Sequence, residues 1–455
     1  MAGTTRPPNR ALAALQDEAG WSNTQFAAAV NRLGPEASMR LNYDKSAVAH
    51  WLTGTLPIPR ARPLICEALT RRLGRPITTS AAGFGPTPET DEDGCDSVTK
   101  LIDLGSADMD PTRRAALGAI GLYSAALAIP RWPDVTDRFH HLKTNPHVRI
   151  GPGDVQAVQA MTDNLSALDD QFGGAAIRPL AAAFLVNTIA PYLHADATPT
   201  IRAQMLSAAS DHCYLTGYMA MDERADGLAQ RYYLLALELA GHAGDHLTYC
   251  TTLRGMSVQA VDLSHTADAL RLAEAASTAS PNAGPRMLAF LAGQHAHAAA
   301  QAGDRTMALT QLKTAEKAMD QAESRSTALG SYDPSSLHYH IAQVRYELGD
   351  RNQSITELDK ARRLRPDIYR RTRVRHLGTL AERRLEIGHL EEACQDWHNM
   401  LDDYLLVQSG RCDDRLRTML SSIRPYSHNT HARDLYERAQ SIAKQRHPQL
   451  RPRRT

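Results

Sequence analysis

Residues 337–366 of the 455-residue chain, LHYHIAQVRYELGDRNQSITELDKARRLRP, indicate the fold class. Apolar residues recur at helical spacing on both sides of Gly349-Asp350, a dipeptide that marks a short turn. Ala361 lies in the second predicted helix, and Pro366 follows that helix, where proline is a frequent stop signal. The stretch therefore predicts a helical hairpin.

Similar blocks recur from residue 150 onward, each with an apolar helix, a short turn and a second helix rich in Ala and Leu. The predicted turns lie about 39–47 residues apart, at Gly217–Asp222, Leu263–His265, Gly303-Asp304, Gly349-Asp350, Gly388-His389 and Pro425–Ser427. These blocks resemble tetratricopeptide units lengthened beyond the usual ~34 residues. Because one hairpin cannot bury its own apolar face, we expect the hairpins to stack into a superhelix with a concave face.

Two further segments of the body carry a resemblance. Residues 155–185 (VQAVQAMTDNLSALDDQFGGAAIRPLAAAFL) and 216–245 (TGYMAMDERADGLAQRYYLLALELAGHAGD) are similar to large streptomycete helix-turn-helix proteins with tetratricopeptide-type C-terminal halves. Locally, Gly173-Gly174 is expected to break one helix and to permit close backbone approach. The expected fold class is all-α: an N-terminal helix-turn-helix domain followed by an α-solenoid of tetratricopeptide-like hairpins.

Residues 43–59, YDKSAVAHWLTGTLPIP, predict a short helix near the N-terminus. Asp44 can cap it, and its apolar residues recur at spacings of three and four. Gly54 and the prolines after it indicate where the helix ends. Small, polar or basic residues occupy the opposite face, and such a helix suits the major groove of DNA. An ordinary amphipathic core helix is the alternative.

The neighbouring segments predict more short helices. Asn9 can cap a helix over Arg10–Ala19, and Ser22 can cap one over Asn23–Leu33. A further helix is expected over Ala61–Leu73. Four or five short helices within about 80 residues are typical of a helix-turn-helix domain.

Three N-terminal segments resemble the lambda-repressor-like, Xre-type helix-turn-helix of actinobacterial regulators: residues 21–34 (WSNTQFAAAVNRLG), 43–59 and 66–78 (CEALTRRLGRPIT). Asn23 lies where the family often has the glutamine that fastens the second helix to a phosphate, and the resemblance implies that the third helix approaches base edges. The implied DNA-binding residues are Asn23, Thr24, Gln25, Arg40, Lys45, Ser46, Ala47, His50, Arg60 and Arg62.

The chain departs from the family pattern in two ways. The connection before the third helix is about ten residues longer than the tight family turn, so a loop carrying Arg40 replaces it. The recognition face also lacks the Arg, Gln or Asn that makes bidentate base contacts, which leaves Arg40 and Lys45 as candidates for base readout. A degenerate module retained for protein contacts is the alternative.

Charge is unevenly distributed along the chain. The whole chain has 51 Lys+Arg and 50 Asp+Glu, but residues 1–85 carry 10 basic and 5 acidic residues, and residues 86–110 carry 8 acids and Lys100. A basic module followed by an acidic tether fits a small DNA-binding domain better than an enzyme. Asp110-Pro111 predicts a helix that runs to about Ala128. The expected domains are 1–84 (helix-turn-helix), 85–109 (acidic linker), 110–149 (connecting helical segment) and 150–455 (solenoid for sensing and dimerisation).

Composition and motifs exclude several other classes of function. The six cysteines are widely spread, which argues against zinc and disulfides and favours a reducing cytosol. No P-loop, GxSxG, HExxH or GxGxxG motif occurs, so we expect no enzyme, no cofactor and no metal site. No apolar run reaches the ~18 residues of a membrane span, which predicts a cytoplasmic protein without a membrane partner.

The predicted concave face supplies candidate effector-binding residues. Residues 360–375, KARRLRPDIYRRTRVR, carry eight positive charges, and a solvated face is the ordinary interpretation of such a run. One alternative is an anion or peptide-carboxylate site, because guanidinium groups bind carboxylates bidentately. DNA beside the operator and the acidic linker, in an inhibited state, are the other candidate partners of this run. The candidates are Asn187, Tyr192, Tyr214, Tyr218, His338, Arg345, Arg371 and Arg375.

Together these features predict a cytoplasmic transcriptional regulator that binds double-stranded DNA. We expect a homodimer whose solenoid binds a peptide, a small molecule or a protein as effector. Two alternatives remain open at the level of sequence. One is a tetratricopeptide-type interaction scaffold with a vestigial DNA-binding module, and the other is a plasmid or phage maintenance protein that binds DNA.

Overall fold

The protein has an all-α architecture, with helical hairpins stacked as in a solenoid. The computed structural model describes residues 7–34, 39–73, 75, 77–84, 96–109, 123–124, 145–279, 283–322 and 332–446. Most of the predicted connecting segment 110–149, including the helix expected from Asp110 to Ala128, lies outside these residues.

The N-terminal domain contains four α-helices, at the positions that the sequence predicts. They are α1 Arg10–Ala19, α2 Asn23–Leu33, α3 Lys45–Leu52 and α4 Arg62–Leu73, the last preceded by a 3-10 turn over Pro59–Ala61. The capping residues fix these bounds, because the side chains of Asn9, Ser22 and Asp44 accept hydrogen bonds from the first free backbone N–H groups.

Aromatic contacts fix α3 on α2. Trp51 is buried, and its ring meets Phe26 edge-on at 6.2 Å and Tyr43 edge-on at 4.9 Å between centroids. Edge-to-face rings at such distances stabilise a pair by about 0.5–1.5 kcal/mol beyond simple burial. The orientation of α3 is therefore set by residues on both sides of the α2–α3 connection.

The body consists of a lead segment and successive helical hairpins. The lead helices are α5 Ser97–Met109, α6 Pro152–Phe172, α7 Gly174–Phe184 and α8 Ala190–His194, with a π-helical segment over Leu185–Ile189. The hairpin helices are α9 Pro199–Asp222, α10 Asp226–Ala243, α11 His246–Asp262, α12 Thr266–Thr278, α13 Pro285–Gln301, α14 Arg305–Asp320, α15 Pro334–Glu347, α16 Arg351–Leu364, α17 Arg370–Glu386, α18 Leu390–Tyr404, α19 Gly410–Ile423 and α20 Thr430–Arg446. A 3-10 turn over Arg424–Tyr426 follows α19.

The first five hairpins share one turn geometry. Each has a three-residue turn whose middle residue has positive φ: Arg224, Ser264, Gly303, Gly349 and Gly388. The predicted turns near residues 264, 303, 349, 388 and 426 are confirmed. The turn predicted at Gly217–Asp222 is wrong, because α9 continues through it and ends at Asp222.

Gly217 has a packing role inside α9. A Cβ at this position would lie 2.9 Å from the ring of Tyr233 and 3.1 Å from Tyr232 on α10. The glycine therefore permits close approach of two helices, a role that local sequence signals cannot distinguish from a turn.

Two short parallel strands flank the helices α6 to α8 of the lead segment, and helical periodicity does not predict them. They are β1 Asn145–Arg149 and β2 Ala195–Asp196. Beyond the strands, the backbone N–H of Ile150 donates to the carbonyl of Asp196 at 3.0 Å.

The superhelix brings its last hairpin against its first helices. The backbone N–H of Gln408 donates to Phe172 at 2.7 Å, and a Cβ on Gly173 would lie 2.3 Å from the Gln408 carbonyl oxygen. A Cβ on Gly410 would lie 2.7 Å from the carbonyl oxygen of Glu223. The concave face is thereby bounded by both ends of the solenoid.

One stretch is long and apolar enough to span a membrane by length and composition, contrary to the sequence expectation. It is Gly174–His194, with mean hydropathy 1.3 and 44% of its apolar window buried within the protein. The stretch carries Arg178, which is buried and pairs with Asp108 and Glu223. A paired, buried arginine is typical of a helix packed in a protein core.

Candidate functional site

The exposed side of α3 carries three of the predicted DNA-binding residues. Lys45, Ser46 and His50 are exposed, and at about 100° per residue they span roughly 140° of the helix. Ala47 is half-buried and packs against the domain core, so its side chain lies at the edge of this surface. Arg40 is also exposed, on the connection before α3.

Arg40, Lys45 and Arg60 have no carboxylate partner among the residues that the structure describes. The salt bridges found there include neither Arg40, Lys45 nor Arg60, and all three side chains are exposed. By contrast, Arg75 pairs with Glu18 at 2.5 Å and Arg71 pairs with Glu67 at 2.8 Å. The positive charge around α3 is therefore available to a polyanion.

The remaining predicted DNA-binding residues of this domain either form local hydrogen bonds or are exposed to solvent. Asn23 Oδ1 accepts from Gln16 Nε2 at 2.8 Å, and Gln25 Oε1 accepts from the Ser22 backbone in a capping box. Arg62 Nε donates to the Pro57 carbonyl at 3.0 Å, while Thr24 is exposed. Asn23 thus joins the start of α2 to α1, Gln25 closes the cap of α2, and Arg62 anchors the start of α4 to the loop before it.

Asn31 fixes the entry into α3, and sequence reasoning missed it. Its Oδ1 accepts from the backbone N–H of Tyr43 and its Nδ2 donates to the Tyr43 carbonyl, both at 2.8 Å. The Asn31 amide therefore pairs with both backbone groups of Tyr43 and fixes the end of the long α2–α3 connection, as a tight turn would fix a short one. A polar residue directly after the apolar run 26–30 of α2 was the available signal.

The concave face of the solenoid contains a cavity of about 500 Å³. The first helices of the hairpins line it, and of the predicted effector residues Tyr214, Tyr218, Arg371 and Arg375 lie in its wall. Cavities of this size hold small molecules. The structure therefore brings together part of the predicted effector set.

The other four predicted effector residues lie away from this cavity. Asn187 is exposed on the π-helical segment, and Tyr192 packs against the main core. His338 Nδ1 lies 2.6 Å from Glu357 Oε2 on the paired helix of its hairpin. Arg345 is half-buried outside the wall. Helical periodicity identified the inner helices but not which turn of each helix faces the cavity.

Arg371 lines the cavity and joins α17 to α6 at the start of the body. Its guanidinium lies 2.6 Å from carboxylate oxygens of Asp169 and Asp170 on α6 and 4.0 Å from Asp222. Burial raises the pKa of Asp169 to about 8, with Arg371 opposing the rise and the neighbouring Asp222 and Asp170 adding to it. Three carboxylates thus share one cation here.

Around Asp262, the last residue of α11, several arginines surround one carboxylate. Arg411 Nη2 lies 2.5 Å from Asp262 Oδ2, and Arg224 Nη1 lies 3.8 Å from it. Burial alone would raise the pKa of Asp262, but Arg411, Arg375 and Arg224 hold it below its usual range. Arginines outnumber carboxylates at this end of the cavity.

The cavity histidines are neutral at pH 7. Burial lowers the pKa of His297 to about 4 and lowers the pKa of His340 and His376 well below the usual value. His340 Nδ1 lies 2.8 Å from the Tyr332 hydroxyl, and His376 stacks on Tyr339 with 5.0 Å between centroids. The positive charge of the cavity therefore comes from arginine.

A contact chain leads from this cavity toward the N-terminal domain. Asp262 is followed by the turn that ends at His265, and His265 stacks on Tyr123. The Tyr123 carbonyl accepts from Arg71 Nη2 on α4 at 3.0 Å. Gln230 on α10 also exchanges hydrogen bonds of 2.7 and 3.0 Å with the backbone of Ser124.

Within the described ranges, no group of three or more His, Cys, Asp or Glu side chains is arranged to hold a metal ion. The five cysteines found there are buried and form no disulfide bond with one another.

Comparison with known proteins gives one partial match. Residues 12–85 are similar to the family described as SP15 N-terminal domain, which corresponds closely to the helical N-terminal domain. No curated protein matches the chain.

Proposed function

We propose that the protein is a cytoplasmic, DNA-binding transcriptional regulator with a ligand-sensing solenoid. The observation that carries the proposal is the exposed face of α3, where Lys45 and His50 flank small side chains and Arg40 lies on the preceding loop. A short, rigidly packed helix with small and basic exposed residues is the element that enters the major groove in helix-turn-helix proteins. The resemblance to Xre-type regulators supports the same assignment.

The proposed regulator acts as a homodimer, because two copies of a small DNA-binding domain contact the two half-sites of one operator. Lys45, Arg40 and Arg60 contact phosphates or base edges, while Ser46 and Ala47 allow close approach. Because the exposed face of α3 lacks Arg, Gln and Asn, the loop carrying Arg40 and α3 act as one reading unit.

The proposed regulation operates through the contact chain from Asp262 to Arg71. A ligand that changes the packing at the end of α11 shifts the adjoining turn, and His265 transmits the shift to Tyr123. This contact chain requires that the ligand changes the affinity for DNA and that DNA changes the affinity for the ligand by the same factor. That factor gives a coupling free energy, which can be measured.

The test of DNA binding is a titration of the full chain with operator DNA at several salt concentrations. We expect affinity to fall with salt, because phosphate contacts release counterions. Exchanging both Lys45 and His50 for alanine should weaken binding at least about tenfold, whereas the control Arg417→Ala removes one exposed charge from the body and should change little. Unchanged binding by the double variant would remove α3 from the interface.

An interaction scaffold is the second candidate. The observation that favours it is the absence of Arg, Gln and Asn from the exposed face of α3. A scaffold would retain its partner in high salt and would show no preference among DNA fragments. The same salt titration therefore separates the two functions.

A further inference from the structure

The Asp262 end of the cavity contains more arginine charge than its carboxylates neutralise. Arg411 and Arg224 both approach Asp262, and Arg224 has a second partner in Asp414 at 2.5 Å. Arg375 is the third arginine near Asp262 and contributes to its lowered pKa. Asp414 also pairs with Arg417 at 2.6 Å, so it is shared as well.

Arg375 and Arg411 line the cavity and have guanidinium donors without partners among the described residues. Arg411 is only 3% exposed, and its Nη1 has no hydrogen-bond partner. Arg375 is half-buried and forms neither a salt bridge nor a hydrogen bond with any residue that the structure describes. Both side chains line the cavity and the adjoining pocket of about 250 Å³. Buried guanidinium donors without partners are rare, because burial removes their hydration.

The glutamates that line the adjoining pocket do not neutralise Arg375. Glu382 pairs with Arg415 at 2.7 Å and Glu386 pairs with Arg351 at 3.2 Å. Burial raises the pKa of Glu347, which favours its uncharged form. Asp169 and Asp170 are engaged by Arg371 at the other end of the cavity.

The cavity wall between these charges is aromatic. Tyr214, Tyr218, Phe290, Tyr332 and Tyr339 line it, and the Phe290 ring also lies 4.2 Å from the guanidinium carbon of Arg254. Ring faces of this kind bury the apolar part of a ligand, while a few polar groups orient it.

We propose that this cavity binds a small organic anion, with its carboxylate or phosphate between Arg375 and Arg411 and its apolar part against the aromatic wall. Guanidinium groups suit both anions because their planar N–H donors bind two oxygens at once. This proposal rests on the proposed regulatory function, because it assigns the chemical class of the effector that the proposed regulator senses. A cavity of about 500 Å³ suits a small molecule better than a long peptide.

The test uses phenylacetate, phenyl phosphate and the uncharged phenylacetamide with the DNA-free full chain, in calorimetry and thermal unfolding. We expect at least one of the two anions to bind with a Kd below about 1 mM and to raise Tm, and phenylacetamide to do neither. The stronger of the two anions identifies the carboxylate or the phosphate as the preferred group. Equal binding by the amide, or no binding by either anion, would overturn the proposal.

Matched arginine variants locate the site. Arg375→Gln should weaken anion binding at least about tenfold. The control Arg373→Gln lies on the same helix but pairs with Asp367 at 2.7 Å and Asp403 at 3.1 Å, outside the cavity wall, and should retain binding. Equal affinity of Arg375→Gln and the unchanged chain would also overturn the proposal.

The two proposals fail separately. Loss of DNA binding with retained anion binding would refute the regulator and leave the anion site intact. DNA binding without any anion binding would refute the anion site and leave the DNA-binding proposal intact.

Discussion

The ring of Tyr123 stacks on the imidazole of His265, with 4.8 Å between centroids and 9° between planes. Tyr123 is 3% exposed, and its carbonyl accepts a hydrogen bond from Arg71 of the N-terminal domain. One residue thus contacts a solenoid turn through its ring and the N-terminal domain through its backbone. This relationship makes Tyr123 the place where coupling between the two parts can be tested.

We expect Tyr123→Ala to destabilise the protein by about 3 kcal/mol, because it removes a large buried ring. Hydrogen exchange in α4 and in the turn at His265 should become faster. Tyr123→Phe keeps the ring and the stacking, so its exchange pattern should match the unchanged chain. Unaltered exchange in the alanine variant would show that the stack does not join the two parts.

Asn31→Ala should loosen α3 without affecting the body. It removes two hydrogen bonds to Tyr43 and leaves those backbone groups without partners, at a cost of about 2 kcal/mol. Exchange of the α3 amides should accelerate, while α9 and α10 serve as internal controls. Asn42→Ala, at an exposed position on the same connection, should leave α3 protected.

Gly217→Ala should destabilise the first hairpin by about 1–3 kcal/mol, because its Cβ would meet the Tyr233 ring at 2.9 Å. Gly153→Ala is the matched control, since a Cβ there meets nothing within 4 Å. Urea unfolding followed by circular dichroism gives the comparison. Equal midpoints for the two variants would contradict the close packing of α9 on α10.

Asp169 should make stability fall as pH rises. Its pKa is raised to about 8 in the folded chain against an ordinary value of 3.8. The folded state therefore holds the proton more tightly, so the contribution is complete below about pH 4 and is lost as pH rises toward 8. Tm measured from pH 4 to 8 should fall less in Asp169→Asn than in the unchanged chain. Parallel curves would show that this carboxyl is ionised throughout.

Sequence alone predicted the N-terminal helices closely because their limits are set locally. Asn9, Ser22 and Asp44 each cap a helix with their own side chain. The hairpin turns at Gly303, Gly349 and Gly388 were also found, since glycine tolerates the positive φ that these turns require. Arg224 and Ser264 occupy the same turn position without a glycine. The turn at Leu263–His265 was nevertheless predicted, whereas the turn at Arg224 was not.

The site was only partly predictable, because its residues come from distant parts of the chain. Arg371 meets Asp170, which lies 201 residues earlier, and no local pattern indicates that contact. The basic run 360–375 also serves two purposes. Arg362 and Arg363 pair with Asp359 on their own helix, while Arg371 and Arg375, one helical turn apart, face the cavity.

The most direct test of the proposed DNA-binding function is selection of bound fragments from sheared genomic DNA, with the full chain and the variant carrying alanine at Lys45 and His50 side by side. We predict that the unchanged chain enriches a small set of fragments sharing one motif and that the variant loses this enrichment. Enrichment that is absent, or identical for both proteins, would contradict the assignment of α3 as the DNA-reading helix.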